Sequence, residues 1–263
     1  MQKRHFDRQQ YFIEQAKTSE EFYAAFINKD LPIKRGLSVL EIGCGEGGNL
    51  LPFAEKGCRV SGIDRSGTRI KQAENFFKLQ HYPACFYEGD FFEMECKGEE
   101  DRYNIILVHD VIEHIGKKDL FINRIKQFLA PDGIIFWAFP AWQMPFGGHQ
   151  QICKSICSKL PFIHLLPGPA YRLLLKCAGE KQNCIEELMD IKRCGISIEK
   201  FEKLLQDQHL SITNRCLWFI NPHYKQKFNL KPRRLYPFIA GMKYMRNFFT
   251  TSCFYTTTYR KET

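Results

Sequence analysis

Val39-Leu40-Glu41-Ile42-Gly43-Cys44-Gly45-Glu46-Gly47-Gly48 decides the fold: an apolar run that ends in an acid and opens into a glycine-packed turn. Glycine reaches backbone angles closed to other residues and lets a ligand lie against the main chain. A turn of this kind between a strand and a helix is where open α/β sheets hold nucleotide-like cofactors. The acid narrows the choice, because a carboxylate at the strand end favours a cationic cofactor over a phosphate-bearing one.

The pattern around that stretch is regular. Leu37–Ile42 reads as a strand and Gly48–Lys56 as a helix ending at Gly57. Arg59–Ile63 is a second strand, followed by a helix over Gly67–Gln80, and Cys85–Glu88 is a short third strand. Tyr103–His109 is a fourth, Lys117–Leu129 a helix closed by Pro131, and Gly133–Phe139 a fifth strand. This alternation indicates βαβ units and a parallel sheet. Upstream, residues 6–30 read as one or two short helices, with Phe22, Phe26 and Ile27 on one face and Thr18-Ser19-Glu20-Glu21 as a start signal.

Past Pro140 the rhythm breaks. Residues 141–195 are rich in Pro, Gly, aromatics and Cys, with helices expected around Ala170–Ala178 and Ile185–Lys192. Regularity returns where Ser197 caps a helix running through Gln206, followed by a strand over Ser211–Phe219. A final run, Phe249–Tyr259, is full of Thr and aromatics and has strand character.

Glu41-x-Gly43-x-Gly45-x-Gly47 resembles the first motif of class I S-adenosylmethionine (SAM)-dependent methyltransferases. The turn also satisfies the dinucleotide fingerprint through Gly43, Gly45 and Gly48, so alone it leaves both readings open. Asp64 ends the second strand, where a carboxylate grips ribose hydroxyls in either fold; with Arg65-Ser66-Gly67 behind it, it also reads as a helix cap. Gly89-Asp90-Phe91 resembles the methyltransferase motif in which an acid meets the adenine amino group and an apolar neighbour covers the ring, the alternative being an Asp turn. His109-Asp110-Val111-Ile112-Glu113-His114 resembles the Asp-x-x-Glu-His signature of small-molecule methyltransferases, the quinone-biosynthesis group among them.

The resemblance covers residues 37–140 and, loosely, the C-terminal strands. It implies a Rossmann-like α/β fold: a mostly parallel seven-stranded sheet with an antiparallel last strand, an N-terminal helical lid and an insertion after the fifth strand. The implied cofactor is SAM. Glu41 would lie near its amino end, and Gly43, Cys44, Gly45 and Gly47 would wrap the methionyl half and ribose. Asp64 would hold the ribose, Arg65 would flank the adenine, and Asp90 and Phe91 would meet the base. His109, Asp110 and Val111 would border the methylthio end. Cys44 reads as a compact filler, Glu113 as an acid favoured at a helix start, and His114 as structural or catalytic.

An acceptor would sit where the fifth strand ends. Pro140-Ala141-Trp142-Gln143-Met144-Pro145-Phe146-Gly147-Gly148-His149 offers an apolar wall, with Trp142 and Phe146 as candidate substrate contacts. His149 is the candidate general base for a hydroxyl acceptor, or else a polar filler before the next helix. His149, Cys153 and Cys157 fall at four-residue intervals, which on a helix would align three ligands; buried small thiols are the alternative, and no metal is expected.

The chain has 263 residues, enough for a single domain. It divides into a helical lid (1–36), a SAM-binding core (37–140), a substrate-facing insertion (141–195) and a C-terminal helix and strands (196–263). Eleven cysteines without a Cys-x-x-Cys pair or an export signal read as reduced thiols of a soluble, cytoplasmic protein. Net charge is +9, and from His223 onward nine basic residues face one acid, Glu262, so nearly all the excess lies there. Phe228, Leu235, Tyr236, Phe238, Tyr244, Phe248 and Phe249 are interleaved with that charge. The segment reads either as a contact with an anionic membrane or as the buried face of the last strand and its approach, with lysines on the solvated side. Nucleic acid is argued against: the Asn/Asp-Pro-Pro-aromatic loop and a Pro-Cys pair are both missing.

The function expected is SAM-dependent methyl transfer, chiefly to oxygen, on a small or lipid-like acceptor. An NAD(P)-dependent oxidoreductase would share Gly43–Gly48 and Asp64 but leave Asp90 and Asp110–His114 unexplained. A non-catalytic SAM-binding protein is the other alternative.

Overall fold

A computed structural model describes residues 7–260; Lys261 and Glu262 of the basic tail lie outside it. The chain opens with α1 (Arg8–Thr18), whose N-terminus is capped by Asp7 accepting from Gln10 N–H. It runs on through a π-helical turn, Ser19–Ala24, into α2 (Ala25–Ile27). The start signal expected at Thr18-Ser19 is not used. Thr18 (φ −66°, ψ −43°) and Ser19 (φ −63°, ψ −45°) both hold helical angles, so the helix runs on, with Thr18 Oγ1 donating back to Glu14 O and Ser19 Oγ to Asn49 O.

Five strands follow in the expected alternation: β1 (Ser38–Ile42), α3 (Leu51–Glu55), β2 (Arg59–Asp64), α4 (Gly67–Leu79), β3 (Ala84–Glu88), β4 (Tyr103–His109), α5 (Lys118–Gln127) and β5 (Leu129–Phe139). Gly48–Leu50 forms a 3-10 turn ahead of α3, and β5 starts at Leu129, four residues earlier than expected. Beyond β5 come α6 (Gly168–Cys177), α7 (Gln182–Cys194), α8 (Ile198–Asp207), β6 (Leu210–Ile220), α9 (His223–Phe228), β7 (Arg233–Arg234), α10 (Pro237–Gly241) and β8 (Ser252–Tyr259). Ser197 caps α8, its Oγ accepting from Lys200 N–H.

The sheet runs in the order β3-β2-β1-β4-β5-β8-β6-β7. Strands β1 to β5 pair in parallel, and β8 lies antiparallel between β5 and β6. The eighth strand, absent from the sequence expectation, is the two-residue edge β7. Period-two alternation sends successive side chains to opposite faces. Leu40, Ile106, Ile135 and Trp137 pack under α5 and α8. Val39, Ile105, Leu107, Ile134 and Phe136 pack under the N-terminal helices and α3. Glu41 and His109 share the parity of Val39 and Leu107, so both point to the face covered by α1 and the π turn. A smaller third cluster, with Cys153, Cys157, Tyr171, Leu175, Ile185 and Leu188, belongs to the segment between β5 and α8.

The basic tail is not uniformly a surface feature. Arg246 is buried and ion-paired with Glu199 and Glu202, and Lys225 pairs with Glu21. Of the tail aromatics, Tyr236, Phe238 and Tyr244 are 68%, 80% and 70% exposed, so they are not the inner face of the last strand. Among the described residues no helix is long and apolar enough to cross a membrane.

Candidate active site

The site begins beneath the glycine turn. Gly43 has φ +72°, and a Cβ there would stand 2.5 Å from Val111 Cγ2, so the turn closes against Val111 only with glycine at that position. Glu41 is buried at the end of β1. One of its carboxylate oxygens accepts from Asn49 Nδ2 at 2.7 Å; the other is buried without a partner. Burial pushes its pKa up to about 8 against the pull of Asn49, with Asp64 adding to the rise. Asp64, at the end of β2, turns one oxygen to Gly45 N–H (2.9 Å) and the other to Ser66 N–H (2.8 Å). Cys44 is buried beneath the turn against Gly62, as a filler would be.

The N-terminal helices roof this turn. Gly48 lies so close to α1 that a Cβ would sit 2.6 Å from Phe12 O, and Arg8 pairs with the buried Glu46 at 2.9 Å. Tyr23 Oη lies 3.0 Å from His109 Nε2, with its ring between His109 and Phe136. Burial, then the negative charge of Asp110, pushes the hydroxyls of Tyr11 and Tyr23 to titrate higher. Sequence reasoning did not find Asn49, Tyr11 or Tyr23. The π turn adds a residue to the helical repeat between the two tyrosines, so no 3.6-residue pattern would have placed them together.

At the base-binding end the structure departs from expectation. Asp90 is ion-paired with Arg65 and also accepts from Phe92 N–H at 3.0 Å. Burial opposes its ionisation, but these donors win and hold the carboxyl below its usual range. Phe91 is not an open ring face: it is buried in the core against Phe121 and Phe128.

At the far end, Asp110 breaks the line of β4 at φ +51°, its N–H donating to Ala138 O at 2.8 Å. A left-handed Asp just past a strand is a strained position of the kind held at binding sites. Ile112–His114 is a single 3-10 turn, so Glu113 does not open a helix, as the sequence suggested. Instead it is buried, neither carboxylate oxygen has a hydrogen-bond partner, His114 Nε2 lies 4.0 Å from one of them, and burial, then Asp110, drives its pKa well up. The rings of His114 and His149 meet edge-on, 4.9 Å apart. Burial, then the neighbouring His149, lowers His114 to about 4, and burial lowers His149 although Asp110 and Glu187 pull the other way. Both imidazoles are therefore neutral near pH 7, able to accept a proton or to ligate a metal.

His149 itself sits at φ +55° before a 3-10 turn (Gln150–Ile152), which breaks the helical alignment with Cys153 and Cys157. His149 goes to His114, while Cys153 and Cys157 enter the third cluster. Glu113, His114 and His149 bring one ligand atom each within 4.8 Å of one another, a set that could hold a divalent cation although no metal was expected from the sequence. Trp142 is half-buried against His164 and Gly195, with Lys192 over its ring, and Phe146, four residues on, is also half-buried. Asn183, Glu187, Asp190, Ile191 and Cys194 of α7 line a cleft with His114.

A family model of a methyltransferase domain matches residues 33–248. The chain belongs to that methyltransferase family. Its fold is the class I SAM-dependent one. It is 34% identical over 107 residues to a ubiquinone biosynthesis O-methyltransferase of Rhodopseudomonas palustris, covering 41% of each chain. It is 32% identical over 123 residues to the protein of the same name from Bartonella tribocorum, covering 45% of this chain and 49% of that one. The matched part thus spans less than half the length of these curated relatives. Among solved structures, magnesium protoporphyrin IX methyltransferase from Synechocystis, with SAH bound, aligns with a TM-score of 0.57 at 16% identity, covering 98% of this chain and 94% of that one. A SAM-dependent methyltransferase from Clostridium acetobutylicum aligns at 0.57 and 11% identity, covering 92% of each chain. At such identities the likeness is one of fold.

Proposed function

We propose that this protein is a SAM-dependent methyltransferase acting on an oxygen of a small organic acceptor. The observation that carries the reading is Glu41: a buried carboxylate at the mouth of the glycine turn with one oxygen unpartnered. A buried half-satisfied acid calls for a cationic partner, and the amino group of SAM is one. Asp64 has lone pairs left for ribose hydroxyls after its two backbone bonds. When bound, SAM supplies a sulfonium-activated methyl group for in-line displacement.

The residues of the chain then divide the remaining work. Tyr11, Tyr23 and α1 cover the turn and keep water from it, while Asp110 fixes the far end beside His109. His149, neutral and half-buried, takes the proton from the acceptor hydroxyl as it attacks. His114 holds the His149 ring from the side. Residues 141–195 form the acceptor-facing part, with Trp142 and Phe146 as its apolar members. The relatives named for O-methylation in ubiquinone biosynthesis support an oxygen acceptor. The test is incubation with methyl-labelled SAM and phenolic or carboxylic acceptors; binding without any labelled product leaves a non-catalytic SAM-binding protein.

A second reading of the same end is metal-assisted. The two unpartnered oxygens of Glu113 beside His114 and His149 favour it, since a cation there would neutralise the buried acid and acidify an acceptor hydroxyl. The exposed Tyr236, Phe238 and Tyr244, set among Lys231, Arg233, Arg234 and Lys243, support peripheral contact with an anionic membrane and hence a lipid-like acceptor. Sedimentation with neutral and anionic liposomes tests that contact; indifference to lipid charge removes it.

A further inference from the structure

A second ligand set lies in the segment between β5 and α8, apart from the methyl-transfer site. Cys153 follows the 3-10 turn Gln150–Ile152, Glu180 sits in the α6–α7 turn, and Cys184 is in the first turn of α7. Gly179, at φ +78°, ends α6 and aims Glu180 back at the loop. The two thiols and the carboxylate bring their ligand atoms within 4.8 Å of one another. Glu180 meanwhile accepts from Lys154 N–H (3.2 Å) and Ser155 N–H (2.7 Å), and the Ser155 hydroxyl and both thiols also reach its carboxylate, so the two thiols already converge on the acid. Tyr171 packs in the same cluster as Cys153 and Cys184; it is wholly buried and its hydroxyl has no hydrogen-bond partner.

We propose that Cys153, Glu180 and Cys184 form a binding site for a thiophilic divalent cation of the zinc type. Two thiolates and a carboxylate, with solvent in the fourth position, make a four-coordinate zinc donor set. Zn–S bonds place two sulfurs about 3.8 Å apart, a separation within reach of small side-chain rotations from the present arrangement. On binding, each thiol gives its proton to solvent and the ion takes both sulfurs as thiolates. An unpartnered Tyr171 hydroxyl is then a donor left for a sulfur carrying negative charge.

The location makes physical sense of the site. The third cluster has only six fully buried members, and a core that small gains much from a cross-link. The cation would tie the loop after β5 to the start of α7, the helix whose Glu187, Asp190 and Ile191 line the cleft beside His114. It would thus fix one wall of the cleft without touching the reacting groups.

The test uses the full chain, stripped by chelator and reduced, then titrated with Co²⁺ as a spectroscopic stand-in for Zn²⁺. A near-ultraviolet thiolate-to-metal band that Zn²⁺ displaces is expected, with close to two protons released per ion near neutral pH. Cys153→Ser and Cys184→Ser should each lose the band, and the second, at a half-exposed position, is the safer for folding; circular dichroism checks that both remain folded. His149→Ala should keep the band, which separates this site from the Glu113–His114–His149 set. Absence of a thiolate band in the wild-type chain, its survival in both serine variants, or its loss in His149→Ala would overturn the proposal.

Discussion

Asn49 Nδ2 stands 2.7 Å from one carboxylate oxygen of Glu41, and the second oxygen of that buried acid faces no donor at all. The consequence is a titration inside the working pH range. Unfolded, the carboxyl would titrate near 4.5; folded, it does so near 8. Between those values the folded state binds more protons than the unfolded, so the ligand-free fold loses stability as pH rises through that window. A cation on the free oxygen lowers the pKa and expels the proton. SAM binding near pH 7 should therefore release close to one proton, and it should tighten as pH rises toward 8, by up to about tenfold per unit. Calorimetry in two buffers of different ionisation enthalpy reads the proton, and Glu41→Gln should abolish it; equal proton counts in both proteins would clear Glu41 of the role.

Gly48→Ala tests the roof. The added methyl would meet Phe12 O at 2.6 Å and Gln15 Cβ at 2.7 Å, and backbone cannot swing aside as a side chain can. A loss of roughly 1–3 kcal/mol in folding stability is expected, with weaker SAM binding as α1 is pushed off the turn. Thermal melting with and without SAM separates the two effects.

His149→Ala should lower turnover by about 10²–10⁴-fold while SAM affinity stays within error, as for loss of a general base. Unchanged turnover on a verified acceptor removes His149 from the chemistry.

Divalent cations separate the two readings of the far end. Where an ion binds Glu113, His114 and His149, it should raise the melting temperature of the wild-type chain, by about 2.7 kcal/mol of stability at a hundredfold excess over Kd. With the thiol set removed by Cys184→Ser, Glu113→Gln should lose that response, and a chelator should slow turnover. In that Cys184→Ser background, a melting temperature and a rate both blind to chelator leave His149 acting alone.

Much of the fold was legible because β1 to β5 carry their signal locally: apolar strands, glycine turns and amphipathic helices of standard length. The turn residues Glu41, Gly43 and Asp64 could be placed for the same reason, since a strand end fixes where a side chain emerges. Phe91 could not, because whether a ring one residue past an acid covers a ligand or joins the core depends on Phe121 and Phe128, which come from α5 and the approach to β5. Glu113 lies in a single 3-10 turn rather than at a helix start, and that turn packs against α7 and His149, both far along the chain. The His149–Cys153–Cys157 spacing is periodic in sequence but spread over separate short turns in space, with both thiols buried as the alternative reading had them.

The position of β8 bears on how the protein assembles. It slots between β5 and β6, so neither neighbour has its partner along that side until the later segment arrives. During synthesis Phe136, Trp137 and Leu217 wait beside open backbone, an arrangement that invites pairing with another chain. Loss or delay of Ser252–Tyr259 would split the sheet through its middle rather than trim its edge, so aggregation, more than a mild drop in activity, is what damage to that strand should bring.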